Sequence, residues 1–171
     1  MVGINGISFS MVKVIRKEWL WLTFPIILGL LLRLPRLGEF DNNYYTATVK
    51  SMTLSWSNFF YGSFDPSGLV MVDKPPAAFW LQSLPGLLLG VGDLSVTLPQ
   101  FIMGIVSIPL IYFIVGRTFG GIAGIVSASV LAVLPASVII DTRNEPDALV
   151  AFCLLLAAAC IVKAVQTSQW K

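Results

Sequence analysis

Residues Pro76–Val91 read PAAFWLQSLPGLLLGV, and the fold turns on whether this run crosses a bilayer. It is apolar, but it falls below the roughly 20 residues a crossing needs, and it carries Gln82 and Pro85. Other apolar runs flank it at Trp19–Leu32, Val96–Val115, Gly121–Ile140 and Ala148–Val165. The charges arbitrate. If Pro76–Val91 crosses, Arg117, Lys163 and Lys171 fall outside, while Asp141, Glu145 and Asp147 fall inside. If it lies in the outer interface, Lys13, Arg16, Lys17, Arg117, Lys163 and Lys171 are all cytoplasmic, and every acid except Glu18 lies outside. Lys and Arg collect in cytoplasmic loops, so the second arrangement is favoured. The expected fold class is therefore an all-α integral membrane protein with about four transmembrane helices, near 18–35, 96–116, 119–140 and 147–166. Two outer-face juxtamembrane helices, about 41–55 and 76–91, are expected within an outer loop over 36–95.

The composition points the same way. Of 171 residues, 56% are hydrophobic and only 12% charged, against roughly 25% charged in soluble domains. A water-soluble domain is excluded on that ground. The net charge of +2 comes from scattered basic residues, which leaves no footprint for nucleic acid. There is no histidine, so chemistry must rest on carboxylates, lysine, arginine, tyrosine and hydroxyls. Lys13, Arg16 and Lys17 precede the first apolar run with no small-residue cleavage site after it. That is the pattern of an uncleaved signal anchor with a cytoplasmic N-terminus in the cell membrane. Cys153 and Cys160 lie seven apart in an apolar run, about 10 Å along a helix and too far for a disulfide; packing is their expected role.

Two polar clusters meet on the expected outer face. One is Glu39-Phe40-Asp41-Asn42-Asn43-Tyr44-Tyr45, after the first span; the other is Asp141-Thr142-Arg143-Asn144-Glu145-Pro146-Asp147, before the last. Between them in sequence lies Asp73-Lys74-Pro75-Pro76. Each key residue has a plain structural reading: Asp41 as an N-cap, Lys74 as an interfacial lysine reaching headgroups, Asp147 as a helix-start carboxylate. Taken together they suit a phospholipid-linked substrate. A carboxylate can take a proton from an attacking hydroxyl, and a lysine can neutralise a leaving phosphate. The runner-up is a non-enzymatic membrane protein that binds a phospholipid-linked ligand or assembles with a partner. A transporter would place charge near mid-membrane in broken helices, whereas Val96–Val115 and Gly121–Ile140 contain none.

Four motifs in order carry a family resemblance: Asp41-x-x-Tyr44-Tyr45, Asn58-Phe59-Phe60-x-Gly62-Ser63-Phe64-Asp65-Pro66, Val72-Asp73-Lys74-Pro75-Pro76-x-x-Phe79-Trp80-x-Gln82 and Asn144-x-Pro146-Asp147-Ala148-Leu149. From about Arg16 to the C-terminus the chain resembles bacterial glycosyltransferase family 39 proteins, GT-C-fold enzymes related to protein O-mannosyltransferases and the aminoarabinose transferase of lipid A. The resemblance implies a polyprenyl-monophosphate sugar donor and transfer to an acceptor hydroxyl at the extracytoplasmic membrane face. The sugar and the acceptor stay open. It puts the catalytic aspartate, a base, at Asp41, donor-phosphate contacts at Lys74 and Asp73, and a second acidic site at Asp147. Tyr44, Tyr45, Asn144 and Arg143 then belong to the substrate pocket. No cofactor is implied with certainty; a divalent cation, where one is used, would fall to Asp41 and Asp147. Many relatives carry Asp-Glu at the first motif, and here Asn42 replaces the Glu, so a paired-carboxylate role is not expected. Family members run to several hundred residues. The expectation is the N-terminal portion of such an enzyme, truncated, with activity not expected of residues 1–171 alone.

Overall fold

The computed structural model describes residues 20–39 and 42–167, and within them the chain is all-helical. Helix α1 covers 20–33 and runs into a short 3₁₀ turn, Leu34–Arg36. Then follow α2 (Asn43–Met52), α3 (Trp56–Tyr61), α4 (Ala77–Leu89), α5 (Asp93–Phe119), α6 (Gly121–Val133), α7 (Pro135–Thr142) and α8 (Asp147–Thr167). An antiparallel bridge pairs Ser63 with Met71.

Two cores stack along the molecule. The lower one joins α1, α5 and α6 through Leu22, Ile108, Tyr112, Ala128 and Ala132. Its helices approach closely because the facing residues are small. A Cβ on Gly124 would stand 2.9 Å from the Cα of Gly116 and from the carbonyl of Tyr112. The α5–α6 turn rests on Gly120, whose φ of 93° lies in the left-handed region that only glycine enters cheaply.

The upper core joins α2, α4 and the start of α5 through Tyr45, Val49, Met52, Val72, Phe79 and Val96. In α2 the buried positions 45, 48, 49 and 52 fall at helical spacing. Helix α4 buries Ala78, Phe79, Gln82, Ser83 and Gly86 and leaves Leu84, Leu87, Leu88 and Leu89 exposed. The sequence reading contained no counterpart of α3. Ser55 caps it, its hydroxyl accepting from the Asn58 N–H at 3.1 Å, and Gly62 ends it at φ 64°.

Helices α5 and α8 are long and apolar enough to cross a membrane, and α6 with α7 forms a third candidate only if the bent pair is one span. At 27 residues α5 is about 40 Å long, against a hydrocarbon core of roughly 30 Å. The stretch expected as one span over 119–140 is broken at Leu134: α6 and α7 meet at 57°. Pro135 causes the break, because it has no N–H for the carbonyl of Leu131 and its ring cannot follow a straight helix. The cysteines also differ from expectation. Cys153 and Cys160 are both free and exposed on α8 rather than packed.

Candidate functional site

The end of α1, the starts of α5 and α8, and the layer α2–α4 meet at one end of the bundle. Gly38 sits against Asp93 and Leu94 there. Of the residues the sequence singles out, Asp41 lies outside the described residues. The N-cap position of α2 falls on Asn42, not on Asp41, and its side chain makes no capping bond.

Lys74 and Asp147 come together: Nζ stands 3.9 Å from Oδ1, with side chains 40% and 62% exposed. Asp147 opens α8 directly after Pro146, where a carboxylate complements the helix dipole. The 3.9 Å contact between two solvated side chains is worth at most about 1 kcal/mol, so both groups can turn to a ligand at little cost. Lys74 is fixed on the other side by the prolines that lead into α4.

Tyr45 marks the floor of this arrangement. Its ring is buried against Phe79, with centroids 5.3 Å apart. Burial raises its phenol pKa above the ordinary value, and the carboxylates of Asp73, Glu145 and Asp147 add to the effect. Three acids from two separate segments thus bear on one phenol, which stays protonated and able to donate. Tyr44 faces outward and stacks on Phe64 at 4.7 Å. Asn144 is fully buried, and its Nδ2 donates to Thr46 Oγ1 at 2.8 Å, tying the loop before α8 to α2. Its Oδ1 has no hydrogen-bond partner. Arg143 and Asp73 are exposed. The described residues contain no group of three or more carboxylate or thiol side chains placed to hold a metal ion.

Asp141 departs from its expected place in the exposed polar cluster. It is buried in α7 and paired with Arg33, a residue at the far end of the expected first span to which the sequence assigns no role. No local signal in the sequence marks the pair, whose partners lie 108 positions apart. An ionisable residue at membrane depth calls for a partner.

A family profile described as "Dolichyl-phosphate-mannose-protein mannosyltransferase" matches residues 73–171. Over 125 residues the chain is 46% identical to "Putative mannosyltransferase YycA" of Bacillus subtilis (strain 168) and 42% identical to "Putative mannosyltransferase YkcB" of the same organism. Each alignment covers 73% of this chain and 18% of the relative, so the chain spans about a fifth of the length of these curated relatives. No solved structure matches.

Proposed function

The chain belongs to the dolichyl-phosphate-mannose-protein mannosyltransferase family, and from that membership we propose that it forms part of a membrane glycosyltransferase fed by a polyprenyl-monophosphate sugar. Membership supports a glycosyltransferase activity with a lipid-linked donor in general. The monophosphate donor, the acceptor hydroxyl and the extracytoplasmic face are this proposal's own content. The observation that carries it is the approach of Lys74 to Asp147, 73 residues later in the chain, beside Tyr45.

In this reading the acceptor oxygen attacks C1 of the donor sugar and its proton passes to Asp41. The bond from C1 to the phosphate oxygen breaks, and polyprenyl monophosphate leaves with its new charge facing Lys74. An ammonium serves there as a compact charge that needs no planar geometry. Asp147 holds Lys74 in place between turnovers, and Asp73 and the Tyr45 phenol complete the polar wall. Tyr44 and Arg143 line the approach, and the buried Asn144 ties the loop before α8 to α2 beneath it.

The proposed orientation has a cytoplasmic N-terminus and four spans: α1, α5, the bent α6–α7 pair and α8. At 13 residues α4 is only about 20 Å long, and its exposed leucines suit a helix lying in the interface.

The test is turnover of radiolabelled mannosyl polyprenyl phosphate in membranes expressing this chain in a full-length family context, mannose being chosen from the relatives' names. Loss of label from the lipid with the wild type, none with Asp41→Asn, and donor binding retained in that variant are expected. Undiminished turnover by Asp41→Asn removes the assignment of the base.

A further inference from the structure

Among the described residues one ion pair is buried, and it lies away from the site just described. Arg33 has no exposed surface, and each of the five N–H donors of its guanidinium has an acceptor. Nε donates to Asp141 Oδ2 at 2.9 Å. Nη1 donates to the carbonyls of Gly29 at 3.3 Å and Ala132 at 2.8 Å. Nη2 donates to the carbonyl of Leu131 at 3.4 Å and to Ser137 Oγ at 2.9 Å, and Ser137 donates in turn to Asp141 Oδ2 at 3.1 Å. With every donor engaged, Arg33 has nothing left to offer a ligand.

Its acceptors explain its place. The helical partner of the Leu131 carbonyl would be the N–H of residue 135, which is proline, and the bend takes the next amide away from Ala132. The regular ladder ends just before, with the Leu134 N–H on the carbonyl of Val130. A freed carbonyl in an apolar surround must find a donor. Arg33 supplies donors to both carbonyls, and with the same guanidinium it grips Asp141 and Ser137 on the far side of the bend. The α5 backbone leaves room for this because residue 104 is glycine; a Cβ there would fall on the Asp141 carboxylate.

We propose that Arg33 is a positioning residue for the candidate site: it sets the α6–α7 elbow, and the elbow sets where Asn144 and Asp147 stand. The path is short. Asp141 lies one residue before the end of α7, Asn144 follows it onto Thr46, and Asp147 opens α8 opposite Lys74. Lysine cannot replace Arg33, because a single ammonium with three donors cannot span a carboxylate, a hydroxyl and three carbonyls in fixed directions. The proposal rests on the reading of the site as a phosphate-binding one.

Three variants test it in nanodiscs: Arg33→Lys, Asp141→Asn and the double variant Arg33→Met/Asp141→Leu, which leaves no stranded charge to unfold the protein. Undecaprenyl monophosphate is the binding probe. Backbone hydrogen exchange over 142–150 and over α4 is read at a temperature where each variant is folded. In all three, Kd for the probe is expected to rise about fivefold or more. Exchange is expected to quicken over 142–150 and to stay unchanged in α4, a local pattern that a general loss of stability would not produce. Wild-type Kd and wild-type exchange over 142–150 in the double variant, or in Arg33→Lys, overturn the proposal. If the wild type itself does not bind the probe, the phosphate reading of the site fails, and the exchange pattern alone then decides for or against Arg33.

Discussion

Lys74 Nζ and Asp147 Oδ1 stand 3.9 Å apart, joining the turn before α4 to the first residue of α8. The pair is exposed and long, so it contributes little to folding. Its value is that it places an ammonium next to Asp147, one of the carboxylates whose charge bears on the Tyr45 phenol. The two partners should therefore separate in their effects. Lys74→Ala is expected to weaken binding of polyprenyl monophosphate by about tenfold or more, as for a lost hydrogen bond to a charged group. The same change should alter unfolding free energy by less than about 1 kcal/mol. Asp147→Asn should weaken that binding by a smaller factor, because the ammonium loses the carboxylate that orients it. Lipid-binding titrations with thermal unfolding on the same samples check both, and unchanged affinity in Lys74→Ala removes the phosphate assignment.

Glycines of the long helices are expected to differ sharply in their tolerance of a methyl group. At Gly104 the added Cβ meets the Asp141 carboxylate, while at Gly116 its nearest neighbour is the Gly124 Cα at an ordinary 3.7 Å. Gly124→Ala meets backbone at 2.9 Å on the other side of the same interface. Gly104→Ala disturbs a buried ion pair, a cost of about 3–5 kcal/mol. Gly124→Ala should cost about 1–3 kcal/mol through forced helix separation. Gly116→Ala should be close to neutral. Thermal unfolding in detergent ranks the three, and a Gly116→Ala loss equal to that of Gly124→Ala contradicts the described packing.

These contacts also show where sequence reasoning stops. Hydropathy and charge located the apolar helices, because burial in lipid or protein demands apolar side chains over a fixed length. Local turn chemistry placed Lys74 and Asp147 each at the mouth of a helix. The Arg33–Asp141 pair was beyond reach: its partners are separated by 108 positions, and nothing local distinguishes a flanking arginine from a clasping one. The elbow was within reach, since Pro135 interrupts the expected span, but hydropathy averages across a proline without registering it. Cys153 and Cys160 were misassigned for another reason. Helix α8 is apolar on every side, so periodicity does not indicate which face is covered.

Gln82 and Gln100 are fully buried, and neither amide has a hydrogen-bond partner. An unmade bond at a buried polar group costs about 1–3 kcal/mol, and an apolar side chain of similar shape removes that cost. Gln82→Met and Gln100→Met are expected to match or exceed wild type by about 1 kcal/mol in unfolding free energy. The same chemical unfolding experiment carries the opposite outcome: a clear loss in either variant contradicts an unpaired amide at that position.

The loop from Ser63 to Met71 is organised by Asp65, whose Oδ1 accepts from the Val70 N–H at 2.6 Å. This backbone bond holds the carboxyl below the usual carboxylate pKa, with further backbone N–H groups of the loop contributing. A depressed pKa means the folded loop prefers the charged form. Its contribution is complete above the ordinary carboxylate value and is lost as pH falls through the lower folded value. In protein labelled with [15N]valine, the Val70 amide resonance should therefore titrate with a midpoint below that of a free aspartate. It should not titrate in Asp65→Asn, and a wild-type midpoint at or above the free value contradicts the bond.

The proposed topology depends on α4 lying in the membrane surface, and the two candidate arrangements exchange the sides of Asp93 and Arg117. With α4 in the interface, Asp93 at the start of α5 faces the outside, and Arg117 near its end faces the cytoplasm. With α4 crossing, both assignments reverse. The native thiols Cys153 and Cys160 are exposed on α8, so the experiment begins from the variant with alanine at both positions. A membrane-impermeant maleimide applied to intact cells should then label Asp93→Cys and leave Arg117→Cys unlabelled until the cells are opened. The physical ground is length and charge together. A 13-residue helix covers only about two-thirds of the hydrocarbon core, and a crossing would carry Arg117 and Lys163 to the side that basic loops avoid. Labelling of Arg117→Cys in intact cells, with Asp93→Cys protected, would assign α4 as a span and move the acids around Tyr45 to a site divided by the membrane.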